Sequence, residues 1–305
     1  MATDTRALPA TMRAVLLRTP GGPESLTVEQ LPLPELRDGD ALVRVHAAAI
    51  TRDELTWPVD RLPAIPSYEM SGVVVALSAT TGGISIGDEV FALTSFDRNG
   101  AAADYVAVAA EALSPRPTTL DHIESATIPL AALSAWQGLV THGGLERGQR
   151  VVVHGATGGV GHLAVQLARS RGAYVIATAS PRGLEGAQRL DVDELVEASR
   201  FDALEGVDLV FDTVGGELLA RSPAVLRAGG RIVTVAEEPP EGVDAVYFIV
   251  EPDHGQLMEL ARLTDAGELK PEIDSVFSLD DARSAFERSA ARGKHGKVVF
   301  RVVDE

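Results

Sequence analysis

The sequence predicts an α/β fold in which a parallel sheet is covered by helices on both faces and is preceded by a mostly antiparallel β domain. From about residue 123, short apolar runs such as Val151–His154 alternate with amphipathic segments of helical period, the pattern of strands buried on both faces. Before residue 120, β-branched residues alternate with polar ones between turn residues such as Gly87-Asp88, which is typical of antiparallel strands. The 305 residues suffice for about two domains of ~150 residues.

Hydrophobic periodicity and turn residues place the individual elements. In the first part we expect strands at 41–46, 72–77, 89–93 and 105–108. In the second we expect helix 123–142, strand 151–154, helix 160–171, strand 174–179, helix 184–190, strand 209–212, helix 218–226, strands 231–235 and 246–251, and helix 255–266. The tail changes pattern again, to strand 272–279, helix 280–289 capped by Asp280, and strand 297–303. We therefore predict one domain built from residues 1–122 and 267–305, with residues 123–266 inserted as the second.

Composition excludes several classes of protein. Asp and Glu number 44 against 27 Lys and Arg, so the net charge is −17 and the basic surface that nucleic acid requires is missing. Cysteine is absent, which excludes disulfides, thiolate catalysis and zinc sites built on sulfur. No signal-peptide core or long apolar span is visible. We expect a cytoplasmic protein that binds neither nucleic acid nor membrane.

The strongest local motif is a glycine-rich turn between a strand and a helix. Val151–His154 leads into Gly155-Ala-Thr-Gly-Gly-Val-Gly161, and an amphipathic helix follows at once. This order exposes backbone N–H groups and the positive end of a helix dipole, where a pyrophosphate can bind. Gly158 and Gly161 match the second and third glycines of the dinucleotide fingerprint, with Ala156 at the first. The alternative is a tight turn without a ligand.

The residues after the next strand decide which dinucleotide fits. An NAD site has Asp or Glu there to bind the ribose hydroxyls, whereas strand 174–179 ends in Ser180-Pro181-Arg182. A hydroxyl and a guanidinium suit a phosphate dianion, so the sequence predicts NADPH. The alternative is that Arg182 is a solvated loop charge, since the stretch after it is acidic.

Together these motifs resemble the medium-chain dehydrogenase/reductase superfamily, in particular its zinc-independent quinone oxidoreductase branch. The matching segments are 155–168, 180–182, Phe211-Asp-Thr-Val-Gly-Gly216, Gly229-Gly-Arg-Ile-Val233 and Gly296-Lys-Val-Val299. The resemblance implies a GroES-like β-barrel domain formed by both chain ends, a Rossmann domain with a doubly wound parallel sheet between them, and NADPH in the cleft. It also implies a homodimer that pairs the last Rossmann strands, near residues 245–250.

The resemblance also implies roles for individual residues. Those expected to contact the cofactor are Thr157, Gly158, Gly159 and Val160 at the pyrophosphate, Ala179, Ser180 and Arg182 at the 2′-phosphate end, Thr213 and Val214 on the adenosine side, Val235, Ala236, Phe248, Ile249 and Val250 at the nicotinamide carboxamide, and Ser134 facing the cofactor.

The absence of cysteine bears on the chemistry. In zinc-dependent relatives the alcohol oxygen binds Zn²⁺, but here Thr51 and Tyr68 stand where a Cys and a His would be ligands, and neither is a good zinc ligand. Without a Lewis acid, the acceptors that remain are already activated by conjugation: a quinone or an α,β-unsaturated carbonyl. Thr51 and Tyr68 are the predicted hydrogen-bond donors to the developing oxyanion.

Several alternatives stay open. Tyr68 can instead be a packed ring whose hydroxyl bonds a backbone carbonyl. Trp57 and Phe248, predicted to line the acceptor pocket, can equally be ordinary packing residues. Glu69 is expected at the domain junction, and Asp212 is expected to support the turn after its strand. For the whole protein, the competing functions are an enoyl-thioester reductase and a non-catalytic NADPH-binding sensor or crystallin-like protein.

Overall fold

A computed structural model describes residues 8–58, 60–79, 83–181, 183–291 and 293–303. The strands are β1 Thr11–Leu17, β2 Leu26–Pro32, β3 Asp40–Ile50, β4 Glu69–Leu77, β5 Glu89–Leu93, β6 Tyr105–Ala109, β7 Ser114–Pro115, β8 Arg150–His154, β9 Tyr174–Ala179, β10 Glu194–Glu197, β11 Val207–Asp212, β12 Leu226–Thr234, β13 Ala245–Tyr247, β14 Ile273–Ser278 and β15 Lys297–Arg301. The helices are α1 His122–Ser125, α2 Pro129–Trp136, α3 Gly161–Ser170, α4 Leu184–Ala187, α5 Gly216–Arg221, α6 His254–Asp265 and α7 Ala282–Ala290. Among these described helices, none combines the length and the apolarity needed to cross a bilayer.

The inner part of the chain forms a parallel sheet in the order β10-β9-β8-β11-β12-β13. Residues Val151–His154 of β8 are fully buried because strands and helices cover them on every side. The order reverses at β8, from which the chain fills first one side of the sheet and then the other. This is the doubly wound topology that the alternating pattern predicts, and the predicted fold class is confirmed.

The two ends of the chain meet in a second, mostly antiparallel sheet. Its order is β14-β15-β3-β4-β5-β7, with β6 also paired to β3. The long strand β3 pairs through residues 40–44 with β6 and through residues 47–50 with β15. One strand thus bridges two neighbours, and the C-terminal strands lie beside N-terminal ones. The domain boundaries at residues 122 and 267 stay predictions.

Some element boundaries differ from the sequence-based expectation. The helix expected over 123–142 divides into α1, α2 and a π-helical segment, Gln137–His142, because an Asp121–Glu124 capping box starts α1 and Pro129 starts α2. The expected cap by Asp280 is wrong: a 3-10 turn, Leu279–Asp281, precedes α7. The strand expected over 246–251 ends at Tyr247.

One apolar core crosses the junction between the two sheets. Tyr68, Phe91 and Leu93 of the antiparallel part are fully buried and belong to the same cluster as residues of α2, α3 and β8. A continuous core resists relative motion of the two parts, since parting them would expose apolar surface. Packing across this junction therefore fixes how the two parts lie relative to each other.

A buried histidine ends the central strand of the parallel sheet. Ser222 donates its hydroxyl to the Leu218 carbonyl, so His154 Nε2 donates to Ser222 at 3.1 Å, and Nδ1 accepts from the Thr178 hydroxyl at 2.8 Å. Burial lowers the pKa of His154 to about 3. His154 therefore stays neutral in the folded chain at pH values below ~6.5, where it binds a proton in the unfolded chain.

We predict that this histidine makes the fold acid-sensitive. Stability from neutral His154 is present above pH ~6.5 and is lost as the pH falls. Between pH ~7.5 and ~5.5 the free energy of unfolding should fall by about 1.4 kcal/mol more in the wild type than in His154→Gln, as measured by urea unfolding. Equal losses in the two proteins would contradict the assignment.

Candidate active site

The glycine turn after β8 is shaped by close backbone approaches. Gly155 has φ +74°, a left-handed conformation that favours glycine. At Gly161, where α3 begins, a Cβ would lie 2.1 Å from the Gly155 carbonyl oxygen, and at Gly158 it would lie 3.2 Å from the same atom. Helix and strand can approach this closely only with glycine. The half-buried turn Thr157–Val160 thereby leads straight into a helix N-terminus, whose first N–H groups have no acceptor within the helix.

The predicted cofactor residues lie along one edge of the parallel sheet. The groups at or just after the ends of β9, β8, β11, β12 and β13 are, in that order, 179–180, 157–160, 213–214, 235–236 and 248–250. Because parallel strands end at the same edge, the sheet order brings these groups into one row. Ser134 differs: it is buried in α2, and its hydroxyl donates to the Leu130 carbonyl at 2.7 Å. Arg182 lies outside the described residues.

Two hydroxyls lie close to Gly183 at the β9 end of this row. A Cβ placed on Gly183 would lie 3.4 Å from Thr157 Oγ1 and 3.5 Å from Ser180 Oγ. The residues that end the strand, Ala179-Ser180-Pro181, contain no carboxylate. The donors at this corner therefore suit a phosphate better than a pair of ribose hydroxyls, and the residues present fit NADPH.

The turn after β11 covers the glycine turn. Thr213 donates its hydroxyl to the His154 carbonyl at 2.8 Å, and a Cβ on Gly155 would lie 2.6 Å from Thr213 Oγ1. Buried Asp212 accepts from the Gly215 N–H at 3.0 Å and from the Thr234 hydroxyl at 2.9 Å. The expectation that Asp212 supports this turn is confirmed. Burial raises the pKa of Asp212.

A buried ion pair reaches the predicted donor Thr51. Lys297, 2% exposed, pairs with fully buried Glu69, and its Nζ donates to Thr51 Oγ1 at 3.1 Å. The other Glu69 oxygen accepts from the Leu130 N–H at 2.9 Å. Glu69 therefore joins β4, β15 and α2, and its expected place at the domain junction is confirmed.

A second buried carboxyl group fixes the backbone around both predicted donors. Glu54 accepts from the Thr51 N–H at 3.0 Å and from the Ser67 N–H at 3.1 Å. Burial raises the pKa of Glu54 to about 8, although these hydrogen bonds and Lys297 act in the other direction. Burial thus favours the neutral form of the Glu54 carboxyl group. Ser67 has φ +65°, a conformation that a non-glycine residue keeps only under such restraint.

Tyr68 is a packed ring with an unexpected partner. It is fully buried against Trp57 and Phe96, with ring centroids 5.8 and 5.2 Å away. Its hydroxyl oxygen accepts from Arg61 Nη2 at 2.7 Å, and the same nitrogen donates to the Phe96 carbonyl. Burial raises the pKa of Tyr68. Because a guanidinium only donates, the hydroxyl proton of Tyr68 points away from Arg61.

The two aromatic residues predicted for the acceptor pocket lie in different surroundings. Trp57 is 38% exposed and edges onto the Phe96 ring at 5.3 Å. Phe248 follows β13 and packs on His142, with ring centroids 4.5 Å apart. Trp57 thus joins the Tyr68 cluster, whereas Phe248 belongs to the edge of the parallel sheet.

The residues at the zinc-ligand positions do not fit zinc. Thr51 and Tyr68 offer hydroxyls where Zn²⁺ prefers sulfur and imidazole, and Glu69 is already paired with Lys297. In the described part of the chain, no group of three or more His, Cys, Asp or Glu side chains is arranged to hold a metal ion.

Three residues of this site were missed in the sequence: Glu54, Arg61 and Lys297. Lys297 carried a signal, because the chain has only three lysines and this one stands in the Gly296-Lys-Val-Val299 motif. Glu54 stands three residues after Thr51, but its burial could not be read from that spacing. Arg61 carried no signal.

Comparisons with known proteins agree with this architecture. Residues 37–118 match the family model of the alcohol dehydrogenase GroES-like domain, and residues 190–300 match that of zinc-binding dehydrogenase. A 2-methylene-furan-3-one reductase of Solanum lycopersicum is 30% identical over 96% of this chain and 80% of its own length. An NADPH-dependent alkenal/one oxidoreductase of Arabidopsis thaliana, chloroplastic, has the same identity and coverage. The structure of the quinone oxidoreductase from Coxiella burnetii superposes with a TM-score of 0.88, at 28% identity, over 96% of this chain and 100% of that one.

We predict that the glycine turn tolerates no side chain at its last position. Gly161→Ala would place a methyl group 2.1 Å from a backbone oxygen that cannot move aside, so thermal unfolding should show a loss of ~1–3 kcal/mol or more. Gly255→Ala is the matched control, because that helical glycine has its nearest atom at 3.4 Å and should be neutral or slightly stabilising. Equal effects of the two substitutions would contradict the packing argument.

Proposed function

This chain belongs to the medium-chain dehydrogenase/reductase superfamily, and on that premise we propose that it is an NADPH-dependent, zinc-independent oxidoreductase that reduces a quinone or an α,β-unsaturated carbonyl. One observation carries the proposal: the hydroxyls of Thr51 and Tyr68 each accept a hydrogen bond from a cation. Each hydroxyl proton then points away from its cation. Thr51 is half-buried, whereas Tyr68 is fully buried and meets an acceptor only after a neighbouring side chain moves. The names of two relatives, a 2-methylene-furan-3-one reductase and an NADPH-dependent alkenal/one oxidoreductase, support this substrate class.

The residues along the sheet edge suit NADPH. The proposed contacts are the backbone of residues 157–160 with the pyrophosphate, and the side chains of Ser180 and Arg182 with the 2′-phosphate. When bound, NADPH supplies the hydride. The protein holds the cofactor against the row of strand ends and keeps the two walls of the cleft in register.

The chain's own residues orient the acceptor and stabilise its oxygen. Conjugation already activates a quinone or an enone. The protein must therefore hold the acceptor in position, exclude water from around it and supply a hydrogen-bond donor. The proposed donor on the polar side is Thr51, which is half-buried and fixed at its N–H by Glu54. On the aromatic side, Trp57 and Phe96 exclude water around Tyr68. A hydroxyl hydrogen bond to the acceptor's oxygen becomes stronger as negative charge grows there.

We also propose that the protein is a cytoplasmic homodimer. Strand β13 is the outer strand of the parallel sheet, and an edge strand presents backbone groups that a second copy can pair with. Tyr247 and Ile249 at this edge are 37% and 64% exposed. Sedimentation of a monomer at micromolar concentration would contradict the assembly, and a labelled protein found outside the cytoplasm would contradict the location.

The Ser180 and Arg182 side chains after β9 predict a preference for NADPH over NADH. Arg182→Ala should weaken NADPH binding about tenfold or more and leave NADH binding nearly unchanged, because only NADPH carries the 2′-phosphate. Quenching of intrinsic fluorescence measures both affinities. Arg147→Ala, at an exposed arginine that precedes β8 at the opposite edge of the sheet, is a control for the loss of a charge. An equal loss for both cofactors, or no loss, would contradict the assignment.

The donor hydroxyls predict a loss of turnover without a loss of cofactor binding. Thr51→Val and Tyr68→Phe should each lower kcat by about tenfold to a thousandfold, since a donor to an oxyanion is removed, while NADPH affinity stays the same. NADPH oxidation is measured against quinones, enones and enoyl-CoA, with Tyr105→Phe as a control away from the cleft. A zinc chelator should leave the turnover unchanged.

Other outcomes of this panel would favour the competing functions. Preferential reduction of enoyl-CoA would favour an enoyl-thioester reductase. Binding of NADPH without oxidation by any acceptor would favour a non-catalytic protein. Unchanged kcat in Tyr68→Phe would remove Tyr68 from the mechanism and leave it as a packing residue.

A further inference from the structure

We propose that Lys297 is a positioning residue for the reduction, which acts through Thr51 and supplies the fixed positive charge that a metal ion supplies in zinc-dependent relatives. The inference rests on the proposed function and deepens it. Thr51 stands at a zinc-ligand position but does not suit zinc. The cation that contacts it in this structure is the Lys297 ammonium.

The backbone delivers Lys297 to this point from the far end of the chain. The Gly296 N–H donates to the Thr157 carbonyl at 3.1 Å, and the Lys297 N–H donates to the Glu272 carbonyl at 2.9 Å. The lysine stem then runs along the glycine turn, where a Cβ on Gly159 would lie 2.7 Å from Lys297 Cδ. The ammonium is therefore held between the proposed pyrophosphate site and the proposed acceptor site.

The surroundings keep this ammonium in one place. It is 2% exposed, it is paired with Glu69, and Glu69 is itself held by the Leu130 N–H. A buried ion pair is often no better for stability than a pair of apolar side chains of the same size. Stability alone therefore gives little reason for a charged pair here, whereas contact with a donor hydroxyl gives a functional one.

The ammonium determines what the Thr51 hydroxyl can do. An ammonium only donates hydrogen bonds, so Thr51 Oγ1 must accept from it, and the Thr51 proton turns to a different partner. A hydroxyl that accepts from a cation is polarised and becomes a stronger donor. In a site that excludes water, the nearby positive charge also stabilises a developing oxyanion without any rearrangement.

The other proposed donor, Tyr68, also accepts a hydrogen bond from a cation, but that cation is less buried than Lys297. Arg61 donates to Tyr68, but its side chain is half-buried and it forms no ion pair within the described chain. The two cations thus differ in burial and restraint. Lys297 is the better placed of the two to act as a permanent part of the site.

The test removes the whole ion pair, and with it the ammonium that contacts Thr51, so that neither partner is left buried alone. Lys297→Met by itself leaves the buried Glu69 carboxylate without a partner, so this single variant is expected to unfold more easily. The informative protein is therefore the double variant Glu69→Gln/Lys297→Met. It should fold and bind NADPH within a few-fold of the wild type, while kcat on an enone falls about a hundredfold with little change in KM. Thr51→Val should cost much less in this background than in the wild type. Lys270→Met, an exposed lysine, is the control.

A binding probe gives a readout that does not depend on turnover. With NADP⁺ present, 4-nitrophenol serves as an analogue of the oxyanion, and its absorbance reports its ionisation. It should ionise at a lower pH when bound to the wild type than to the double variant, because the positive end of the ion pair is the end that contacts Thr51.

Each remaining outcome overturns a defined statement. If the double variant keeps the wild-type kcat and nitrophenol ionises equally in both proteins, Lys297 has no positioning role and the proposed function stands. If the double variant loses NADPH affinity in proportion to kcat, Lys297 acts on the cofactor site and the inference is wrong. If the wild type transfers hydride from NADPH to none of the quinones, enones or enoyl thioesters tested, the proposed function fails and this inference fails with it.

Discussion

The buried ion pair between Lys297 and Glu69 holds the two halves of the molecule in register. Glu69 belongs to β4, and its second oxygen accepts from the backbone at the start of α2, while Lys297 begins β15 and runs along the glycine turn. Removing one partner of such a pair leaves a charge without compensation in the interior, which costs about 3–5 kcal/mol. The pair therefore links the edge that suits a dinucleotide to the sheet that carries Thr51 and Tyr68.

The two walls of the cleft arise from different physical rules. On one wall, parallel strands all end at one edge, so every turn that follows a strand reaches the same row. On the other wall, an antiparallel sheet supplies side chains from strands that lie far apart in the chain. The apolar core that includes Tyr68, Phe91 and Leu93 joins the walls. The residues of the proposed site come from both parts, and this shared core keeps those parts together.

Local sequence patterns predicted the bounds of an element correctly where it is long and periodic. They failed where the element is short or depends on its neighbours. Strand β9 was predicted with its observed bounds because it is a run of buried residues between turns. Strand β10 was missed because Glu194 and Glu197 at its two ends are acidic and its pairing depends on β9. The start of α7 was misplaced because Asp281 accepts from the Ser278 hydroxyl instead of capping the helix.

The sequence by itself determined those features that depend only on residues close together in the chain. It showed the glycines between β8 and α3, the lack of a carboxylate after β9, the hydroxyls at Thr51 and Tyr68, and the absence of cysteine. Only the tertiary structure decided that Thr51 accepts a hydrogen bond from Lys297, 246 residues further along the chain. Contacts of that kind depend on the register between β15 and β3, and no periodicity within either strand encodes which strand will lie beside it.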